Sequence, residues 1–243
     1  MGLTKGTVSI LGVSFASLTF EAALDVLESY LKEEKNHIVI TPNPEGVMLT
    51  KRNPAFADAV RQADLRLADG TGIILAARYK KTPLPGRVRG VDVTFALFER
   101  LSKKGAFTAY FLGGKPGVAE AAKKRMEKKF PGLQVVGTQH GFFTGNDEKN
   151  MLAEIREKKP DLLLVCTGMP RAELWALKNK DLPAKITLCV GGTLDIMGGN
   201  VKLAPAWLRA IGLEWLYRLL TQPSRAKRML DIPRFVLAVL KGK

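Results

Sequence analysis

The chain is predicted to be an α/β protein, with a mostly parallel sheet covered by helices on both faces and a basic amphipathic helical appendage at its C-terminus. Three observations carry this expectation. Short apolar runs alternate with stretches of helical period along most of the chain, as in successive βαβ units. Those runs lack polar alternation, which is the mark of strands buried on both faces. After about Val201 the alternation stops and Arg, Trp and Leu interleave on helical spacing.

The expected strands are Ile38 to Thr41, Leu65 to Ala68, Thr108 to Leu112, Gln134 to Val136, Leu162 to Cys166 and Ile186 to Val190. Helical patterns lie between and around them. The first is Phe20 to Glu33, with apolar residues at Leu24, Leu27 and Leu31, followed by Ala55 to Ala63 and Thr94 to Lys103. Val118 to Phe130, Glu148 to Lys158 and Ala172 to Asn179 complete the set. No internal repeat or low-complexity segment interrupts the series. The expected division is a catalytic domain over residues 1–200 and a basic helical, membrane-associating appendage over residues 201–243.

At 243 residues, 46% of them hydrophobic, the chain is long enough for a packed core. Its 38 Lys and Arg against 23 Asp and Glu give a net charge of +15, which calls for an anionic partner: nucleic acid, an anionic membrane or phosphorylated ligands. The appendage concentrates this charge. Residues 202–243 hold nine basic and two acidic residues, with Trp207 and Trp215 among them, and close on the apolar set Ile232, Phe235, Val236, Val239 and Leu240. That combination fits a segment lying on an anionic membrane, or else a helix pair docked on the domain with solvated basic faces. No run approaches the roughly 20 apolar residues needed to cross a bilayer, and the N-terminus lacks a signal-peptide pattern. The expected location is cytoplasmic, peripheral at the inner face of the cell membrane. Cys166 and Cys189 sit inside apolar runs and read as buried thiols.

In a parallel sheet the ligand belongs beyond the carboxyl ends of the strands. Five expected strand ends carry polar loops: TPNPEG (41–46), ADGTG (68–72), LGGKPG (112–117), TGMPRAE (167–173) and VGGTLD (190–195). In TPNPEG the two prolines fix their own φ angles and hold their predecessors extended, which would aim Thr41 and Asn43. The same residues also suit an ordinary strand terminator. Gly113 and Gly114, and likewise Gly191 and Gly192, form turns in which a backbone can approach phosphate at a helix N-terminus; tight turn geometry explains either pair equally well. Neither is a G-x-G-x-x-G or Walker motif. Asp69 stands where a general base could take a proton from a substrate hydroxyl, or where an Asx turn could cap the helix starting near Thr71. Arg87 and Arg89 are candidates for pairing with phosphate. The two histidines, His37 and His140, have no ligand spacing, and no D-x-D occurs, so no metal site and no cofactor is expected. D-x-D is the divalent clamp of many sugar-nucleotide transferases, and a transferase without it would need arginines and helix termini to stabilise a leaving diphosphate.

The ordered series TPNPE, ADGTG, RVRGVD, YFLGGKPG, PGLQVVGTQHGFF, PDLLLVCTGMPRAELW, VGGTLDIMGG, LAPAWLR and GLEWLYRLLTQPSRAKR resembles the WecG/TagA/CpsF family of bacterial glycosyltransferases over nearly the whole chain. The resemblance implies a Rossmann-like core of the type called GT-E. It implies inverting transfer of N-acetylmannosamine from its UDP donor to a polyprenyl-diphosphate-linked N-acetylglucosamine. In the TagA branch this builds the linkage unit of wall teichoic acid. Thr41 and Asn43 would contact the reacting sugars, Asp69 would be the base, and Arg87 would bind phosphate. Arg218, Arg225 and Arg228 would be brought near a diphosphate by the appendage. The family pattern G-x-P-x-Q-E reads Gly168-Met169-Pro170-Arg171-Ala172-Glu173 here, so the glutamine is replaced by alanine, with Arg171 as its candidate substitute beside Glu173. The competing expectation is a nucleotide- or nucleic-acid-binding protein without transferase activity. Self-association in solution through the apolar appendage is a further expectation.

Overall fold

The computed structural model describes residues 6–205, 207–208, 212, 214–221 and 226–242. Its centre is a six-stranded, wholly parallel sheet of β3 (His37–Ile40), β4 (Leu65–Arg66), β5 (Phe107–Gly113), β6 (Leu133–Gln139), β7 (Leu162–Cys166) and β8 (Ile186–Cys189). The order across the sheet is β4-β3-β8-β7-β5-β6. Successive side chains of a strand point to opposite faces, so each strand must be apolar at every position to bury both. The four central strands come close to this. Val39, Phe111, Leu164 and Leu188 enter one core, while Ile38, Ile40, Tyr110, Leu112 and Val165 enter the other.

Helices cover both cores. The first is closed by α1 (Phe20–Tyr30), α5 (Gly90–Lys104), α6 (Val118–Lys129) and the short α9 (Thr193–Gly198). The second is closed by α2 (Pro44–Thr50), α3 (Pro54–Gln62), α4 (Thr71–Tyr79), α7 (Gly145–Lys158) and α8 (Arg171–Lys178). Phe98 is fully buried on α5 and packs on Phe107, Phe111 and Phe130, a burial that stabilises by roughly 2–3 kcal/mol for its side chain.

Four elements were not foreseen. Residues 7–16 form an antiparallel hairpin of β1 (Thr7–Ile10) and β2 (Val13–Ala16), turned by Leu11 and Gly12, both at positive φ. Its inner residues Ile10, Val13 and Phe15 join the second core. TPNPEG is not a loop throughout: Pro44 opens α2 at the position where its missing N–H costs nothing, and Asn43 caps that helix. VGGTLD likewise runs into α9.

The appendage packs back on the core. Its described helices are α10 (Glu214–Thr221), α11 (Ala226–Met229) and α12 (Asp231–Leu240), and α12 lies against α2 and α4. Asp231 is buried and takes a bidentate pair from Arg52 at 2.6 and 2.5 Å, which holds its carboxyl below the usual range. Arg225 and the side chain of Arg218 lie outside the described residues.

Candidate active site

A cleft opens at the carboxyl ends of β4, β3, β8 and β7, four strands that are neighbours in the sheet. Thr41 and Asn43 follow β3, Asp69 follows β4, Gly191 and Gly192 follow β8, and Gly168, Met169 and Glu173 follow β7. Arg89 and Gly90 enter from the start of α5, and Arg228 comes from the appendage. Thus residues up to 187 positions apart line one space because the parallel strands all end on the same side.

The TPNP segment is held rigidly. The Asn43 side-chain oxygen accepts the Gly46 N–H at 2.9 Å, which commits that oxygen to the cap and leaves the amide nitrogen as the side chain's donor. The Thr41 hydroxyl donates to the Cys189 carbonyl at 3.5 Å. Pro44 lies against Gly70 and Gly72: a Cβ on Gly72 would stand 2.8 Å from the Pro44 Cγ. The two loops that carry Thr41, Asn43 and Asp69 therefore interlock through a proline ring seated on two glycines.

Asp69 does not cap α4. The N-cap of that helix is Gly70, at φ +100, with no side-chain bond. The Asp69 carboxylate instead accepts the Gly90 N–H at 3.4 Å, and the Asp69 N–H donates to the Pro42 carbonyl at 3.2 Å. The carboxylate is thus fixed between the start of α5 and the TPNP segment, on the cleft.

The two arginines of RVRG differ. Arg89 lines the cleft but is buried, with Nη1 3.0 Å from Asp92 and Nη2 3.0 Å from Glu214 of the appendage. Arg87 donates to the Thr71 hydroxyl at 3.2 Å and stands 4.0 Å from the same Glu214. Gly212 of the appendage also packs on Thr71. Arg228 pairs with Glu45 at 3.2 Å. Glu45, the carboxylate of TPNPE, was not singled out from the sequence, although its place beside Asn43 was the available signal.

Glu173 is the perturbed acid of the cleft. Burial pushes its carboxyl up to about 7, opposed by a hydrogen bond from its own backbone and by the Arg228 charge. Its Oε2, like the Thr167 hydroxyl, is buried and has no hydrogen-bond partner among the described residues. A neutral carboxylic acid there can donate as well as accept.

Other expected residues lie elsewhere. Gly113 ends β5 and Gly114 follows it, on the far side of β7 from the cleft. A Cβ on Gly113 would stand 2.5 Å from the Cys166 backbone and one on Gly114 2.6 Å from Val118, so both glycines serve close packing. Arg171 is exposed, with its guanidinium 4.9 Å from the Phe143 ring centroid, so it does not replace the missing glutamine within the cleft. Ala172 is buried in the second core. Among the described residues no cluster of three His, Cys, Asp or Glu side chains could hold a metal ion, and no helix is long and apolar enough to cross a membrane.

Comparison with known proteins bears directly on this arrangement. The model of the glycosyl transferase WecG/TagA/CpsF family matches residues 8–243. The chain is 33% identical over 214 residues to an N-acetylglucosaminyldiphosphoundecaprenol N-acetyl-beta-D-mannosaminyltransferase of Bacillus spizizenii strain W23, covering 88% of this chain and 82% of the relative. It is 29% identical to the proteins of the same name from Bacillus subtilis strain 168 and Staphylococcus aureus strain MRSA252, over 97% of this chain and 91% and 93% of theirs. With the match spanning core and appendage alike, the chain belongs to the WecG/TagA/CpsF family of glycosyltransferases.

Proposed function

We propose that this chain is an inverting N-acetylmannosaminyltransferase. It moves N-acetylmannosamine from UDP-N-acetylmannosamine to polyprenyl-diphosphate-linked N-acetylglucosamine, the step that forms the linkage unit of wall teichoic acid. The observation that carries the reading is the Asp69 carboxylate, held on the cleft by Gly90 and flanked by Thr41 and Asn43. Three of the relatives are named for this transfer. Those transferase names set aside the reading as a nucleic-acid-binding protein without transferase activity.

In this reading Asp69 accepts the proton of the acceptor hydroxyl. The freed oxygen bonds to the anomeric carbon from the face opposite the UDP, the bond from that carbon to the phosphate oxygen breaks, and UDP leaves with the electron pair. Thr41 and the Asn43 amide position the sugars. The backbone turn at Gly191 and Gly192 and the side chains of Glu173 and Arg228 bind donor or acceptor groups, with Arg87, Arg218 and Arg225 supplying further positive charge to the two diphosphates. Arginines take the part that a divalent cation plays in transferases with a D-x-D sequence, which this chain lacks. The working location is peripheral, at the inner face of the membrane that holds the lipid acceptor.

The test is release of UDP from UDP-N-acetylmannosamine in the presence of a lipid-diphosphate-linked N-acetylglucosamine. Acceptor-dependent release by the intact chain supports the reading. Its absence, with this donor and with other UDP-N-acetylhexosamines, sinks it.

A further inference from the structure

Helix α4 has two faces of unlike fate. Ile73, Ile74, Ala76 and Ala77 are buried in the second core, whereas Leu75 and Tyr79, one turn apart on the outer face, are 56% and 59% exposed. One exposed leucine means little. The distribution means more: ten large hydrophobic side chains are exposed among the described residues, two of them on α4, seven in residues 207–240, and only Phe142 elsewhere.

The two groups meet. Phe235 and Val239 of α12 are buried in the same cluster as Ile73 and Ile74, and the Phe235 ring comes within 3.8 Å of where a Cβ on Gly72 would be. The opposite side of α12 exposes Val236, Leu237 and Leu240. Each helix brings a basic rim, Arg78 on α4 with Lys80 and Lys81 just past its end, and Arg234 on α12 with Lys241 just past its end, all exposed. Residues 70–91 contain no acid, and of their five basic residues Arg78, Lys80 and Lys81 are exposed while Arg87 and Arg89 face Glu214; residues 232–243 contain three basic residues and no acid, Arg234 being paired with Asp231. Apolar side chains ringed by exposed cations are complementary to the headgroup layer of an anionic bilayer. The placement also suits the site. α4 starts at Thr71, two residues past Asp69, and runs about 13 Å outward to Tyr79.

We propose that α4 of the catalytic core forms a bilayer-docking face together with α12, with Leu75 and Tyr79 entering the headgroup layer beside Val236, Leu237 and Leu240. The core thus touches the membrane itself, and the appendage is not its only anchor. The proposal rests on the transferase reading only in supposing that the acceptor is drawn from that membrane.

The experiment uses the full chain and vesicles of phosphatidylglycerol mixed with phosphatidylcholine. The variant L75E/Y79E is compared with L237E/L240E and with the unsubstituted chain, by co-sedimentation and by turnover on two acceptors, one borne in the vesicle and one with a water-soluble short prenyl chain. The expected result is a roughly tenfold or greater loss of vesicle binding in both variants. For L75E/Y79E, turnover on the vesicle-borne acceptor falls and that on the soluble acceptor is kept. A blue shift of an environment-sensitive dye on L75C when vesicles are added supports the same conclusion, Cys166 and Cys189 being buried. Vesicle binding of L75E/Y79E equal to that of the unsubstituted chain overturns the proposal, as does an equal loss of turnover on both acceptors, which would place these residues in the fold. A detergent-sensitive dimer or larger assembly whose contact masks the dye without vesicles would assign the face to a second copy of the chain and overturn it too. If the unsubstituted chain turns over neither acceptor, the transferase reading fails while the vesicle result still decides the docking face.

Discussion

Arg89 Nη2 lies 3.0 Å from Glu214 Oε1, joining the start of α5 to the first residue of α10. The Arg89 side chain is 4% exposed and that of Glu214 13%, so the pair is a buried tie between the cleft and the appendage. Removing one partner strands a buried charge, which costs about 3–5 kcal/mol where nothing else compensates. Here Asp92 retains part of the Arg89 interaction. E214A is therefore expected to lower the melting temperature by several degrees and to make the segment after Val201 the first site of proteolytic cutting. The double variant R89M/E214L is expected to recover part of that loss, because it removes the buried Arg89 charge, although Arg87 still loses Glu214 and Asp92 loses Arg89. Thermal melts and limited proteolysis of the three variants check this, and a double variant less stable than E214A would refute it.

Asp69 accepts from Gly90 and not from its own helix, which fixes the carboxylate without occupying it as a helix cap. Asn at this position keeps the size and the acceptor oxygen but cannot take a proton. D69N is expected to melt within about 1 kcal/mol of the unsubstituted chain and to lose roughly a hundredfold or more in turnover. A variant that keeps more than a tenth of the activity would remove Asp69 from the role of base.

The parallel strands were legible chiefly because the four central ones, β3, β8, β7 and β5, are buried on both faces and so read as mostly apolar runs, while the edge strands β4 and β6 are partly exposed. The hairpin was not. Its turn is Leu11-Gly12, and a leucine at φ +50 is unlike the Asn or Asp that usually signals such a turn. β3 begins at His37, a polar residue that is buried because it stacks on Tyr30 at 3.8 Å and meets Glu33 at 3.0 Å. α2 was hidden by Pro42 and Pro44, before and at its start, which read as loop chemistry although Asn-Pro also starts helices. Within the site, Thr41, Asn43, Asp69, Glu173, Gly191, Gly192 and Arg228 converge as expected, whereas Gly113, Gly114 and Arg171 do not. The difference for the Gly113 turn is strand order. Runs of similar apolarity do not reveal that β7 separates β5 from β8, and that order decides which loops share a cleft.

The seating of Pro44 on Gly72 makes a second kind of prediction. A Cβ at Gly72 would meet the Pro44 ring at 2.8 Å, and a proline ring cannot swing aside as a long side chain can. G72A is expected to push α2 and α4 apart, to destabilise by about 1–3 kcal/mol, and to lower turnover through misplacement of Thr41 and Asn43. Gly86 has nothing within 4 Å of its Cβ position and no positive φ, so G86A is the matched control and is expected to be neutral. Equal behaviour of the two variants would show that the interlock does not position the cleft.

Glu173 gives the pH dependence. Its folded pKa, about 7, stands above the ordinary carboxylate value because burial disfavours the charge. Between the ordinary value and about 7 the unfolded chain has already lost this proton while the folded chain holds it, so the folded state binds more protons and stability falls as pH rises. The stabilising difference is fully present below the unfolded pKa and is lost by the time pH passes the folded one. Its size is on the order of 3 kcal/mol at most. E173Q has no proton to lose. The unsubstituted chain is therefore expected to lose more stability between pH 5 and pH 8 than E173Q does, as read from denaturant midpoints at the two pH values. If the neutral acid is also the form that binds substrate, turnover of the unsubstituted chain falls above pH 7 through a rise in KM, while that of E173Q stays level. Parallel stability profiles for the two chains would show that Glu173 is ionised in the folded protein and that the cleft reads its substrate with a carboxylate.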